Sequence, residues 1–145
     1  MRALTIRQPW AAAITYADKR VENRTWPTTY RGPVLIHASK TLDRHSGPMV
    51  AAVVRGLQLD LGAVLAVARI VDCHDSADEK TPCTPWSATG QHHHVLDEVT
   101  ALPLPIPWRG AQGLWVPPSV LMDRVREQLA SETAAHVLRE EGGPC

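Results

Sequence analysis

The sequence predicts an α+β fold: a small mixed β-barrel with short flanking helices and an added C-terminal helix. Three observations carry this expectation. Short stretches either alternate in polarity or run apolar at strand length. Pro and Gly clusters punctuate them at close intervals, which leaves little room for long helices. Beyond Pro117 and Pro118 the apolar spacing changes to four, the signature of an amphipathic helix. A chain of 145 residues suits one domain with a real core, and the expected division is a barrel over 1–118 and a helix with its tail over 119–145.

Leu4 and Ile6 alternate with Thr5 and Arg7 as in a short strand, and Pro9 then opens a helix whose one face holds Trp10, Ala13, Ile14 and Ala17. Residues 20–26 return to a period of two, with Arg20, Glu22, Arg24 and Trp26 on one side. The loop PTTYRGP leads into VLIHAS, an apolar run that reads as a buried strand, with His37 between Ile36 and Ala38. Ser46, Gly47 and Pro48 mark a helix entry and Gly56 its end. GAVLAVARIVDC, over 62–73, is long for a strand and is expected to be central and strongly bent. Residues 75–91 carry loop chemistry and form the expected mobile segment. HHVLDEVTAL alternates, LPLPIPWRG is held extended by Pro103, Pro105 and Pro107, and QGLWV offers a last strand. In the terminal helix Leu121, Val125 and Leu129 share a face, Ser119 serves as N-cap and Gly142 as the stop. That helix either packs back on the barrel or joins two copies as a homodimer.

Apolar residues make up 44% of the chain and charged residues 21%, a globular balance. No apolar run approaches the roughly 18 residues of a spanning helix, so no membrane partner is expected. MRALTIRQPW meets Arg7 and Pro9 before a signal-like apolar stretch forms. A cytoplasmic location is expected, with Cys73, Cys83 and Cys145 as reduced thiols. The twelve Arg against three Lys and the absence of Phe fit the usage of a GC-rich, bacterial genome. The net charge of zero is a cancellation: residues 1–55 hold nine Lys or Arg against three acids, a net +6, and the remainder is −6. A basic third of this kind points to a polyanionic partner.

The motifs TIRQPWA (5–11), ADKRVENR (17–24) and LIHASK (35–40) occur in order. With GAVLAVARIVDC and HVLDEVTALPLPIPWRGAQGLW behind them, residues 3–117 resemble the ASCH family, a branch of the PUA-like barrels. One departure is Ala17, where the family usually has glycine; alanine requires a negative φ there. The resemblance implies a PUA-like barrel with a cleft between barrel and helices that holds RNA or a nucleotide. Lys19, Glu22 and Arg24 suit that cleft, because Lys and Arg bind phosphate while Glu accepts from a base amino group and orients the cations. The competing reading of these three is an exposed strand face bearing a Glu22/Arg24 pair worth at most about 1 kcal/mol.

Around them, Gln8 offers an amide and Trp10 a ring that is more often core. Tyr30 and Arg31 offer an exposed ring and guanidinium for an unpaired base. His37 is either a satisfied core histidine or a cleft residue, Ser39 and Lys40 end its strand within reach of phosphate, and the glycines beside Arg109 and Gln112 allow close backbone approach. The function expected is binding of nucleic acid, RNA in single-stranded form ahead of DNA, or of a nucleotide-like small molecule. The alternative is an ASCH-type hydrolase with Lys19 and Glu22 catalytic, either a ribonuclease or an acetylcytidine amidohydrolase. The amidohydrolase members carry a threonine nucleophile three residues after the lysine; here that position is Glu22, and Thr25 falls on the opposite strand face. No cofactor or metal is expected: Cys73, His74, Asp75, Cys83 and His92, His93 and His94 lack C-x-x-C or H-x-x-x-H spacing, and consecutive histidines on a strand diverge.

Overall fold

The computed structural model describes residues 1–78 and 83–141, with side chains to residue 131. The expected helix stop at Gly142, Cys145 and residues 79–82 of the expected loop lie outside the described residues. Six strands, β1 (Arg2–Gln8), β2 (Val21–Arg24), β3 (Gly32–Leu42), β4 (Ala63–Asp75), β5 (His92–Pro107) and β6 (Leu114–Trp115), form one sheet in the order β2-β5-β4-β3-β1-β6. Strands β1 and β3 are parallel and every other neighbour is antiparallel. Helices α1 (Trp10–Tyr16), α2 (Pro48–Val53) and α3 (Ser119–Glu141) complete an α+β fold of the PUA-like kind, a mixed half-barrel with helices against it.

The curl of the sheet follows from β4. Its ladder with β5 breaks register three times and its ladder with β3 once, and each break adds bend and twist. The curl brings the ends of the sheet together: Arg24 on β2 donates from Nη2 to the carbonyl oxygen of Thr5 on β1 at 2.7 Å, although three strands separate them in the sheet. Strand β3 is apolar on successive residues because both its faces are covered. Ile36 joins Leu4, Ile6, Leu65 and Ile70 with Ile14 of α1 on one face, and Leu35 joins Ala3, Val64, Leu102 and Ile106 on the other.

Helix α3 seals that second face. Leu121, Met122 and Val125 are buried on it, and Gln128 Oε1 accepts a hydrogen bond from the Leu104 N–H at 3.0 Å, so the helix shares the barrel's core. The two segments HHVLDEVTAL and LPLPIP prove to be one strand. Strand β2 pairs only with residues 92–95 of β5, so the Pro-rich end runs along an open edge where a missing N–H costs no ladder bond. Strand β2 stops at Arg24, two residues before the expected Trp26. The last strand shrinks from QGLWV to Leu114 and Trp115. Among the described residues no helix is long and apolar enough to cross a membrane.

Gln8 holds the start of this architecture. It is fully buried; its Nε2 donates to the Asp60 carbonyl at 2.9 Å and its Oε1 accepts the Ala12 N–H at 2.9 Å. Both ends of the amide are committed to backbone, which satisfies an orphan donor at the start of α1 and ties it to the segment before β4. The expectation of Gln8 as a cleft ligand is therefore corrected to a structural role. Replacing Gln8 with Leu keeps the bulk and strands both backbone groups, so stability measured by urea unfolding should fall by about 1–3 kcal/mol; an unchanged midpoint would contradict this role.

Candidate functional site

The site begins at the turn between α1 and β2. Arg20 Nη1 donates to the carbonyls of Ile14, Ala17 and Lys19 at 3.0–3.1 Å, gathering the open end of the helix. Arg20 thereby leaves the face it was expected to share with Glu22. Ala17 accommodates the turn in an extended conformation, φ −126° and ψ −155°, which needs no glycine.

This turn drives Lys19 inward. It is 1% exposed, donates to the Val21 carbonyl and to Glu22 Oε1 at 3.3 Å, and lies 5.6 Å from the centre of the Trp10 ring. Glu22, 6% exposed, also accepts the Asn23 N–H on Oε1 at 3.1 Å and Arg24 Nη2 on Oε2 at 3.2 Å. Burial pushes the Glu22 carboxyl up, but Lys19 and Arg24 together with these hydrogen bonds more than offset it and hold the carboxyl below its usual range. The reading of this face as an exposed ion pair is overturned by that burial. The triad carries a net +1 and forms the floor of a cavity of about 440 Å³.

Trp10 stands half-buried on one wall with its Nε1 donating to Asp43 at 2.9 Å, and is part cavity lining rather than plain core. Trp86 and Pro85 stand on another wall. Asn23 holds that wall: its Nδ2 donates to the Trp86 carbonyl and its Oδ1 accepts the Ala88 N–H, at 2.9 and 2.8 Å. Arg7 lines the cavity as well. Two shallower cavities of about 650 Å³ each adjoin it, one sharing Thr5, Arg7 and Arg24 with it and the other reaching Ser39, Lys40 and Arg109. Thr5 lines all three, so they join into a trough along the β1 and β3 ends.

The structure thus brings Lys19, Glu22 and Arg24 together and sets Ser39 and Lys40 further along. Tyr30 and Arg31 stand elsewhere. The Tyr30 hydroxyl donates to the Pro33 carbonyl at 2.6 Å and its ring packs on the core, while Arg31 is exposed and pairs with Asp72 at 3.7 Å. The loop folds back on the β3 entry, so the two residues expected to stack on a base line none of the three cavities.

His37 is 1% exposed, with Nε2 donating to the Trp108 carbonyl at 2.7 Å and Nδ1 unpartnered among the described residues. It lines the second cavity, and burial lowers its pKa against the opposing pull of that hydrogen bond. A Cβ at Gly110 would stand 2.5 Å from Thr5 Oγ1 and 2.7 Å from His37 Cε1. That glycine serves this packing rather than ligand approach. Sequence reasoning missed Arg7, Asn23, Asp43 and Trp86. Only the alternation of Arg7 with Ile6 hinted at its exposure; Asn23 lies on β2 beside Glu22, and Asp43 and Trp86 are brought in by loops.

Three groups here couple stability to pH. Burial lowers His94 as it does His37, so the unfolded chain binds protons first as pH falls below about 6.5 and stability must decline there. Glu22, lowered by its cations, adds stability that is present above the ordinary carboxylate range and is lost in more acid solution. Urea unfolding across these two windows should show both declines, and His94→Gln should flatten the first; a stability independent of pH between about 7 and 5 would contradict the buried neutral histidines.

A search of curated proteins finds no matching relative. A family model described as the ASCH domain matches residues 4–119. With that match over most of its length and a half-barrel of the PUA-like kind, the chain belongs to the ASCH domain family.

Proposed function

We propose that the protein binds single-stranded nucleic acid, RNA in preference to DNA, along the trough floored by Lys19, Glu22 and Arg24. The observation that carries this reading is the triad of buried Lys19 and Glu22 with half-buried Arg24. Ionised Lys19 and Glu22 held inside a protein cost several kcal/mol of desolvation, and the surplus positive charge that half-buried Arg24 adds is best matched by an anion. The ASCH membership supports nucleic-acid interaction in general terms. Arg24 and Arg7 line the cavity, and an arginine offers phosphate a planar fork of donors. Half-buried Trp10 lines the cavity and Trp86, itself buried in the core, backs its wall, and a cavity of about 440 Å³ falls within the usual range for small ligands. One strand passing from Arg24 towards Lys40 and Arg109 would meet cations along the trough.

Catalysis by Glu22 is less well supported. An ionised carboxylate with its pKa held down has no proton to give as a general acid, and both its oxygens are already occupied by cations. The threonine needed for amide hydrolysis is missing: Thr25 is exposed and lines none of the three cavities, and Thr5 Oγ1 accepts from Trp115 Nε1 at 3.0 Å.

Fluorescence anisotropy with labelled single-stranded RNA, single-stranded DNA and duplex tests the reading. Affinity should rank in that order and fall steeply with salt. Arg7→Ala and Arg24→Ala should each weaken binding by about tenfold and reduce the slope of log K against log salt by about 0.7. Unchanged affinity in both variants would remove the site. RNA cleavage or acetylcytidine deacetylation that disappears in Lys19→Ala would replace binding by hydrolysis.

A further inference from the structure

The geometry points to a zinc site made by His74, Cys83 and His93, outside the trough and independent of what the trough binds. His74 on β4 and His93 on β5 are direct partners in the antiparallel ladder, so their side chains share a face although 18 residues of sequence separate them. Their rings meet edge to face with centres 5.3 Å apart. Cys83 arrives from the segment between the strands and sets its Sγ 3.7 Å from His93 Nδ1. One donor atom from each of the three lies within 4.8 Å of the others. Zinc bound tetrahedrally at about 2.3 Å from sulfur and 2.0–2.1 Å from nitrogen holds such a pair about 3.5 Å apart, so small side-chain movements close the set around an ion.

The surroundings prepare the donors. His93 Nε2 donates to the Ala88 carbonyl at 2.7 Å, which leaves the lone pair on Nδ1, the nitrogen facing Cys83. His74 Nδ1 stands 2.9 Å from Asp72 Oδ2, the carboxylate-to-imidazole arrangement that fixes a tautomer with its lone pair on Nε2. Ser87 Oγ lies 2.9 Å from Cys83 Sγ, within reach to donate to a thiolate. One thiolate and two imidazoles suit zinc over magnesium or calcium. His93 is buried, His74 half-buried and Cys83 exposed, so an ion has a path in from solvent.

An ion here would pin the segment carrying Cys83 to β4 and β5. That segment continues into Pro85, Trp86 and Ala88, which wall the trough. The site is a clip that holds this wall in place.

The test uses the full chain stripped with a chelator. Titration with zinc against a chromophoric competitor should give one equivalent per chain, and cobalt(II) should give the d–d bands of a tetrahedral ion with a thiolate charge-transfer band. Cys83→Ser should abolish that band and, like His74→Ala, weaken zinc binding by more than about tenfold, while Cys73→Ser leaves both unchanged. Cys83 is exposed, so its replacement tests the ligand without disturbing the core. Binding well below one equivalent, or a thiolate band that survives in Cys83→Ser, would overturn the site.

Discussion

The molecule depends on a carboxylate that solvent hardly reaches. Glu22 sits on an edge strand yet inside the protein, and it stays ionised only because Lys19 approaches one oxygen and Arg24 the other. Arg24 then reaches onward to the Thr5 carbonyl, so the charge cluster also joins the two ends of the curled sheet. Taking charges from water is costly, and attraction among them repays it only with good geometry. Apolar residues of similar volume in place of a buried ion pair such as Lys19 and Glu22 are commonly neutral or stabilising. Keeping an ion triad with a surplus positive charge makes sense where an anion is to be received.

Everything around the triad is arranged to keep it in place. Arg20 gathers the end of α1 and so aims Lys19 inward; Gln8 fixes the start of the same helix; Trp10 covers Lys19 from the side. Asn23, the neighbour of Glu22 on the opposite strand face, clamps the segment bearing Trp86. One strand of four residues thus presents charge to one side and anchors an aromatic wall from the other. The trough extends from there across Thr5, where the three cavities meet.

Much of this was legible in the chain's own pattern. The spacing of Lys19, Glu22 and Arg24, set between RQPW and LIHASK, marked the residues that meet at the candidate site, and the apolar run of β3 marked the centre of the core. Local chemistry could not tell which polar residues the backbone would claim. Gln8 and Tyr30 look free in sequence, and both spend their polar atoms on carbonyls or N–H groups brought near by distant segments. The His74, Cys83 and His93 cluster was hidden for the same reason. Its spacing follows no metal motif because the meeting of His74 with His93 is a matter of register between β4 and β5.

The central claim is that the buried triad is kept for a ligand rather than for the fold. It is tested most directly by the affinity of a folded Lys19→Met, Glu22→Leu double variant for single-stranded RNA. The variant removes one positive and one negative charge together, leaves no unpaired carboxylate, and should remain folded because apolar replacements of buried ion pairs are commonly neutral or stabilising. With Lys19 gone and Arg24 no longer oriented by Glu22, the account expects binding to fall by more than about tenfold. A stable double variant that binds RNA as tightly as the original protein would contradict it.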